Sequence, residues 1–207
     1  MIKVWLKAML VLFFLTVGTA WAETELEDPS PLIEKTANSI FNEINARRDE
    51  IREDSTIAEQ IVRTDMLPLL DAAYSARLIL GREARTATPQ QLEDFAQAMN
   101  EQLIKKYATG LLEYRSREQI EVLELRGNID PRATRVKTRF RLDSGGFALV
   151  DYVFRMTEDG WKVFDVVVEG ISYVVSFKNQ IQQEVRANGL DAVIERLSRG
   201  ELDLAAG

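Results

Sequence analysis

Neither cysteine nor histidine occurs in the 207 residues. These two absences remove much of enzyme chemistry at once. Without imidazole or thiol there is no Ser–His or Cys–His nucleophile pair and no cysteine nucleophile. Zinc and copper sites built on thiolate or imidazole ligands are excluded too. Acid–base work would fall to Asp, Glu, Lys or Tyr. The sequence also lacks a G-x-G-x-x-G stretch, a phosphate loop and a calcium loop. Positive charge is in deficit: 26 Lys and Arg stand against 33 Asp and Glu, a net charge of −7. Such a chain is a poor partner for nucleic acid or for an anionic bilayer surface.

Long apolar runs are confined to the N-terminus, "MIKVWLKAMLVLFFLTVGTAWA". Lys3 and Lys7 precede an apolar run from Ala8 to Val17, and Ala20-Trp21-Ala22 follows. A basic region, a short apolar core and an A-x-A site make a secretory signal peptide, cleaved after Ala22. The run is short for a membrane span, and no cysteine at the cleavage site offers a lipoprotein anchor. Removing 22 of 207 residues leaves 185, with a charge of 24 − 33 = −9. That length suits one domain, 23–207, with a core large enough to need no disulfide, in an exported protein.

Helical periodicity dominates the first half. Leu32, Ile33, Thr36, Ala37, Ile40, Phe41 and Ile44 form one stripe, with Ser30 as cap and Pro31 in the first turn. A short helix is predicted over 55–66. A third should start at Pro68 and stop at Gly81. Thr88-Pro89-Gln90-Gln91 reads as a capping box, opening a helix over 89–112 with Leu92, Phe95, Met99, Leu103, Tyr107 and Leu111 on one face. Beyond Arg115 the period changes to two. Strands are predicted over 118–126, 133–143, 147–156 and 161–169, and helices over 171–187 and 190–199. Helices, a four-stranded antiparallel meander and helices again describe an α+β fold.

The stretch "WKVFDVVVEGISYVV", 161–175, is apolar on both faces of its strand. A central strand between two protein layers does this, and so does a strand with one side against something other than protein. If "DSGG" is a two- or four-residue turn, Leu142 stands opposite Phe147 and Phe140 opposite Leu149. A two-residue turn at "EDG" sets Val153 with Phe164 or Val166. One face then carries Val136, Phe140, Leu142, Phe147, Leu149, Val153, Phe164, Val166 and Val168. The other carries the basic row Arg135, Lys137, Arg139 and Arg141, with Asp165 and Glu169 as potential ion-pair partners, and Tyr152, Phe154, Trp161 and Val163 beyond it.

Two segments carry a family resemblance. Trp161, Asp165-Val166, Gly170, Ser172 and Asn179-Gln180 resemble the C-terminal signature of the MlaC family of periplasmic phospholipid-binding proteins. Upstream, Leu67-Pro68, Asp71, Leu80-Gly81, 87–91, Phe95, Leu103 and Tyr107 resemble its helical motif. Arg82-Glu83-Ala84-Arg85 departs from the family, which often has an aromatic residue soon after "LG". The resemblance implies an apolar pocket between a twisted sheet and the helices wrapped around it, holding the acyl chains of a phospholipid. It implies lipid as cargo, no cofactor and no catalysis. The implied partners are an outer-membrane lipoprotein–porin complex and an inner-membrane ABC transporter with its membrane-anchored substrate-binding subunit. On this reading Val136, Phe140, Leu149, Val153, Phe164, Val166 and Val168 line the pocket, completed by Tyr74, Leu78, Phe95, Met99, Tyr173 and Val174.

Besides a pure interaction module with a filled core, two rivals remain on sequence alone. One is a carrier of another apolar ligand, such as a quinone or a fatty acid. The other is an isomerase- or dehydratase-like enzyme, in which Asp151 on the apolar face would be the general base; Arg155 offers that carboxylate a plain ion-pair partner instead.

Overall fold

The computed structural model describes residues 26–108, 117–142 and 145–202. The expected signal peptide and the end of the helix predicted over 89–112 lie outside them. Seven α-helices are present among the described residues: α1 Ser30–Ala46, α2 Arg48–Glu53, α3 Thr56–Ile61, α4 Ala72–Leu80, α5 Pro89–Ala108, α6 Tyr173–Asn188 and α7 Leu190–Ser198. The sheet is a meander of β1 Ile120–Val122, β2 Thr134–Arg141, β3 Phe147–Thr157, β4 Gly160–Val168 and β5 Ile171–Ser172, in that spatial order and antiparallel throughout. The α+β reading holds, with five strands where four were expected. The fifth is two residues that fold back on the end of β4 before α6 begins.

Local chemistry explains most boundaries. The capping box forms as read: Thr88 Oγ1 accepts the Gln91 N–H at 3.1 Å, and Gln91 Oε1 accepts the Thr88 N–H at 2.9 Å. Ser30 is the first residue of α1 rather than its cap, and its N–H goes to Asp28 Oδ1 at 2.8 Å. The helix predicted over 55–66 is α3 followed by a π-helical turn, Val62–Met66. Arg63 in that turn donates two 2.5 Å hydrogen bonds to Glu101 of α5, whose carboxyl is held below its ordinary pKa by them.

The start at Pro68 gives way to a more specific arrangement. Pro68 lies in a 3-10 turn, Leu67–Leu69, and Leu70 is extended and bridges to Val163 of β4. Asp71 then caps α4, accepting the Tyr74 N–H at 3.0 Å. Gly81 ends α4 at φ +61°, a conformation that favours glycine, and a Cβ there would come within 2.5 Å of Gln182.

Buried side chains fall into three clusters. The helical cluster joins α4, α5, α6 and α7 around Leu80, Phe95, Ile181 and Leu197. A second gathers Ile44, Ile51, Ile61 and Ile104 from α1, α2, α3 and α5. The third packs Ile33 of α1 on Val136, Phe154, Trp161 and Val163 of the sheet. A domain of this size ordinarily shows one contiguous core.

Candidate functional site

The β2–β3 hairpin decides which side chains share a face. Its last pair is Arg141 with Phe147, so the turn holds the five residues 142–146. An odd turn reverses the parity expected from an even one. Phe147, Leu149 and Val153 therefore lie with the basic row, not with Val136 and Phe140. Gly145 and Gly146, at φ +84° and +85°, supply the left-handed residues. The β3–β4 turn has two residues, pairing Thr157 with Gly160, but a bulge shifts the register between Val153 and Phe154. Beyond it Tyr152 faces Val166 and Val150 faces Val168, while Phe164 is the extra residue.

The inner face can thus be written in rows across β2, β3 and β4. Thr134, Phe154 and Val163 are all buried. In the next row Val136 is buried while Tyr152 and Val166 are half-buried. Thr138, Val150 and Val168 repeat that pattern, with the Thr138 hydroxyl donating to the Val150 carbonyl at 2.6 Å. Phe140 and Ala148, the last row, are both half-buried. Burial of this surface is complete in the first row and only partial in the last, beside the β2–β3 hairpin. At the closed end it packs on Ile33, and Trp161 fixes the chain ahead of α1 by donating its indole N–H to the Glu27 carbonyl at 2.8 Å.

The opposite side of β4 meets protein. Phe164 packs edge-on against Tyr74 of α4, with ring centroids 5.2 Å apart. Ser75 donates its hydroxyl to the Phe164 carbonyl at 2.7 Å. Arg155 lies 4.4 Å over the Tyr74 ring and forms a short ion pair with Asp71. Asp71 thus caps α4 and holds the Arg155 guanidinium at once. Its replacement by Ala should lower stability by about 2–4 kcal/mol, the lost cap plus a largely buried unpaired guanidinium. Asp71→Asn keeps a capping acceptor and should lose less. Urea unfolding of both variants checks this, and wild-type midpoints in both would refute it.

Asp165 and Glu169 do not serve the basic row. Asp165 accepts the Ser172 hydroxyl at 2.6 Å and the Val174 N–H at 3.0 Å, while Ser172 caps α6. Glu169 accepts the Leu149 N–H at 2.6 Å. Arg135 instead pairs with Asp151 at 3.3 Å, and Arg139 with Glu121 at 3.9 Å. Asp151 is therefore on the basic face, ion-paired, and not a carboxylate buried in an apolar pocket. Arg155, its expected partner, belongs to Asp71.

The helical residues expected at the pocket are spread as well. Phe95 and Met99 are buried inside the helical cluster, and Tyr173 and Val174 pack against it. Tyr173 meets Phe177 edge-on at 5.5 Å. Leu78 is half-buried on α4. Of the expected lining, the structure brings Val136, Phe140, Val166 and Val168 onto one face, and adds Tyr152 and Val150, which the expected register had turned away or left out. Two open grooves lie elsewhere, of about 1010 Å³ and 750 Å³, meeting at Pro68, Met156, Asp159 and Lys162. Asp71, Arg155, Glu158 and Asp159 line the larger, a charged surface that desolvation makes unsuitable for acyl chains. Among the described residues no His/Cys/Asp/Glu group could hold a metal ion.

The comparisons with known proteins agree with this architecture. A chain of known structure from Ralstonia solanacearum, a phospholipid-binding protein solved with a phospholipid, superposes with a TM-score of 0.74 at 20% identity, covering 84% of this chain and 96% of that one. The Haemophilus influenzae intermembrane phospholipid transport system binding protein MlaC is 26% identical over 190 residues, 90% of this chain and 86% of the relative. The toluene tolerance protein ttg2D of Pseudomonas putida is 24% identical over 166 residues, 80% and 76% of the two chains. The family model for MlaC protein matches residues 34–199, which is most of the chain, and the protein belongs to that family.

Proposed function

We propose that this chain is a phospholipid carrier. The observation that carries the reading is the inner face of the sheet. Tyr152, Val150, Val166, Val168 and Phe140 present apolar surface turned inward and not fully covered by protein. The buried side chains beside that face form three separate clusters rather than one continuous core. Acyl chains complete such a surface. The relatives named for phospholipid transport and the phospholipid-bound fold neighbour support the same cargo.

The working protein is a single periplasmic domain, 23–207, released when residues 1–22 are removed. It moves lipid between an outer-membrane lipoprotein–porin complex and an inner-membrane ABC transporter, and so maintains the lipid asymmetry of the outer membrane. It catalyses no reaction and hydrolyses no ATP, which is the transporter's part. The energetics suit a carrier. Each buried CH₂ contributes about 0.8 kcal/mol, so leaving one sixteen-carbon chain in water costs on the order of 12 kcal/mol. Release into water is negligible, whereas release into a bilayer leaves the tails apolar before and after.

Organic extraction of the mature protein purified from a cell envelope without detergent, followed by mass spectrometry, tests this. Diacyl phospholipid near one or a few molecules per protein is expected. Repeated preparations that contain none, or that contain a quinone or fatty acid instead, overturn it.

A further inference from the structure

The rows of the inner face do not all meet the same neighbours. Val136 and Phe154 belong to the buried cluster around Ile33, and Tyr152 and Val166 in the next row pack against it. Phe140, in the last row, packs against the cluster of α1, α2, α3 and α5. Between these contacts Val150, Val168 and Ala148 are half-buried, and among the described residues they neither belong to nor pack against any of the three clusters. The uncovered stretch is therefore bounded. It begins beside Tyr152 and Val166 and runs along β3 and β4 to the end of the sheet where burial is only partial.

The strands give its length. Rows on one face are two residues apart, about 7 Å at roughly 3.4 Å per residue. From the row of Tyr152 and Val166 to the row of Phe140 and Ala148 is two such steps, about 14 Å. One leaflet of a bilayer core is half of about 30 Å, or about 15 Å. A tail of ordinary membrane length thus matches the stretch. Its methyl end would meet the Tyr152 ring and the Val166 side chain, with the Ile33 cluster behind them. Val136 and Phe154 in that cluster have no exposed surface, so the tail cannot run deeper. A longer tail must leave its excess in water at the other end. Each methylene so exposed weakens retention about fourfold relative to a bilayer, which buries every carbon.

We infer that Tyr152 and Val166 are the stop of an acyl-length gauge, which accepts phospholipid with tails of about sixteen carbons and discriminates against longer ones. The inference rests on the carrier reading above and assigns the length class of its cargo. Specificity then lies in the depth of the stretch, set by two side chains on neighbouring strands.

The test reloads the mature chain, stripped of lipid, from an equal mixture of diacyl phosphatidylglycerols with twelve to twenty-two carbons per tail. Bound lipid is extracted and compared with the mixture by mass spectrometry. Wild type should show a cut-off beyond about sixteen to eighteen carbons, with occupancy falling about tenfold for each further two-carbon step. Val168→Trp fills the row next to the stop and should lower the cut-off by roughly six carbons, the length of one row. Tyr152→Ala removes the ring at the stop and should raise the cut-off. A residue that only stabilised the fold would change the amount bound, not the length preferred. Wild type that takes every length in the proportion offered overturns the inference, as do folded variants with the wild-type cut-off. Folded Val168→Trp protein that is empty at every length overturns it as well, because a moved stop shortens the tail and leaves binding intact. If Val168→Trp does not fold, the direction of the Tyr152→Ala shift decides alone. The two readings fail separately: wild type that takes no phospholipid of any length sinks the carrier and the gauge with it, whereas full loading without length preference sinks the gauge alone.

Discussion

A Val166→Asp protein should fold and yet leave purification with less than about a tenth of the wild-type phospholipid. Val166 stands on the inner face between Tyr152 and the edge of the sheet, half-buried and packed against the sheet cluster. A carboxylate at that point meets either acyl tails or water. Against the tails it must remain ionised in an apolar surrounding or take up a proton, and either costs several kcal/mol. A loss of only about 1.4 kcal/mol already means tenfold in occupancy. With the tails expelled, water enters and the charge is solvated, so the protein loses its cargo before its fold. Val150→Asp, one row nearer the hairpin, should act the same way with less strain. Leu149→Asp is the comparison, since Leu149 is exposed on the outer face and should keep its lipid. Phosphate per protein, read beside the unfolding midpoint, decides the matter. Val166→Asp that folds and retains its full complement would place the lipid elsewhere.

The contrast between Val166 and Leu149 also shows where the sequence could be read and where it could not. The elements were legible because each has a local cause: the Thr88 capping box, the stop at Gly81 and the change of period after Arg115. The assignment of side chains to faces was not, because it depends on parity, and one residue reverses it. A five-residue turn at 142–146 moved Phe147, Leu149 and Val153 to the basic side. A bulge at Val153 and Phe154 then moved Val166 and Val168 across to join Tyr152. The run "VFDVVV" carries no mark of the bulge, since its residues are apolar on both sides. That same property lets either register be buried, so only packing on the helices selects one. Asp71 was visible as part of a motif, but the ion pair it makes with Arg155 while capping α4 joins residues 84 apart, a pairing that no local pattern encodes.

Phe154→Ala should lower stability by about 3–5 kcal/mol, the cost of deleting a fully buried ring and leaving a void. Phe154 has no exposed surface and sits among Ile33, Val136, Trp161 and Val163 at the closed end of the inner face. For a domain of this length the loss corresponds to roughly 6–20 °C in the unfolding midpoint. The position makes a sharper statement than the magnitude. Nothing but protein surrounds Phe154, so the loss should be the same whether the protein carries phospholipid or has been stripped of it. Phe140 is on the same face, three rows nearer the hairpin and only half-buried. There an acyl chain can shift into the vacated space, and Phe140→Ala should harm the loaded protein less than the stripped one. Thermal unfolding of the two variants, each loaded and stripped, makes four comparisons with wild type. A lipid-dependent loss at Phe154, or a lipid-independent one at Phe140, would mean that the closed and open ends of the face have been assigned the wrong way round.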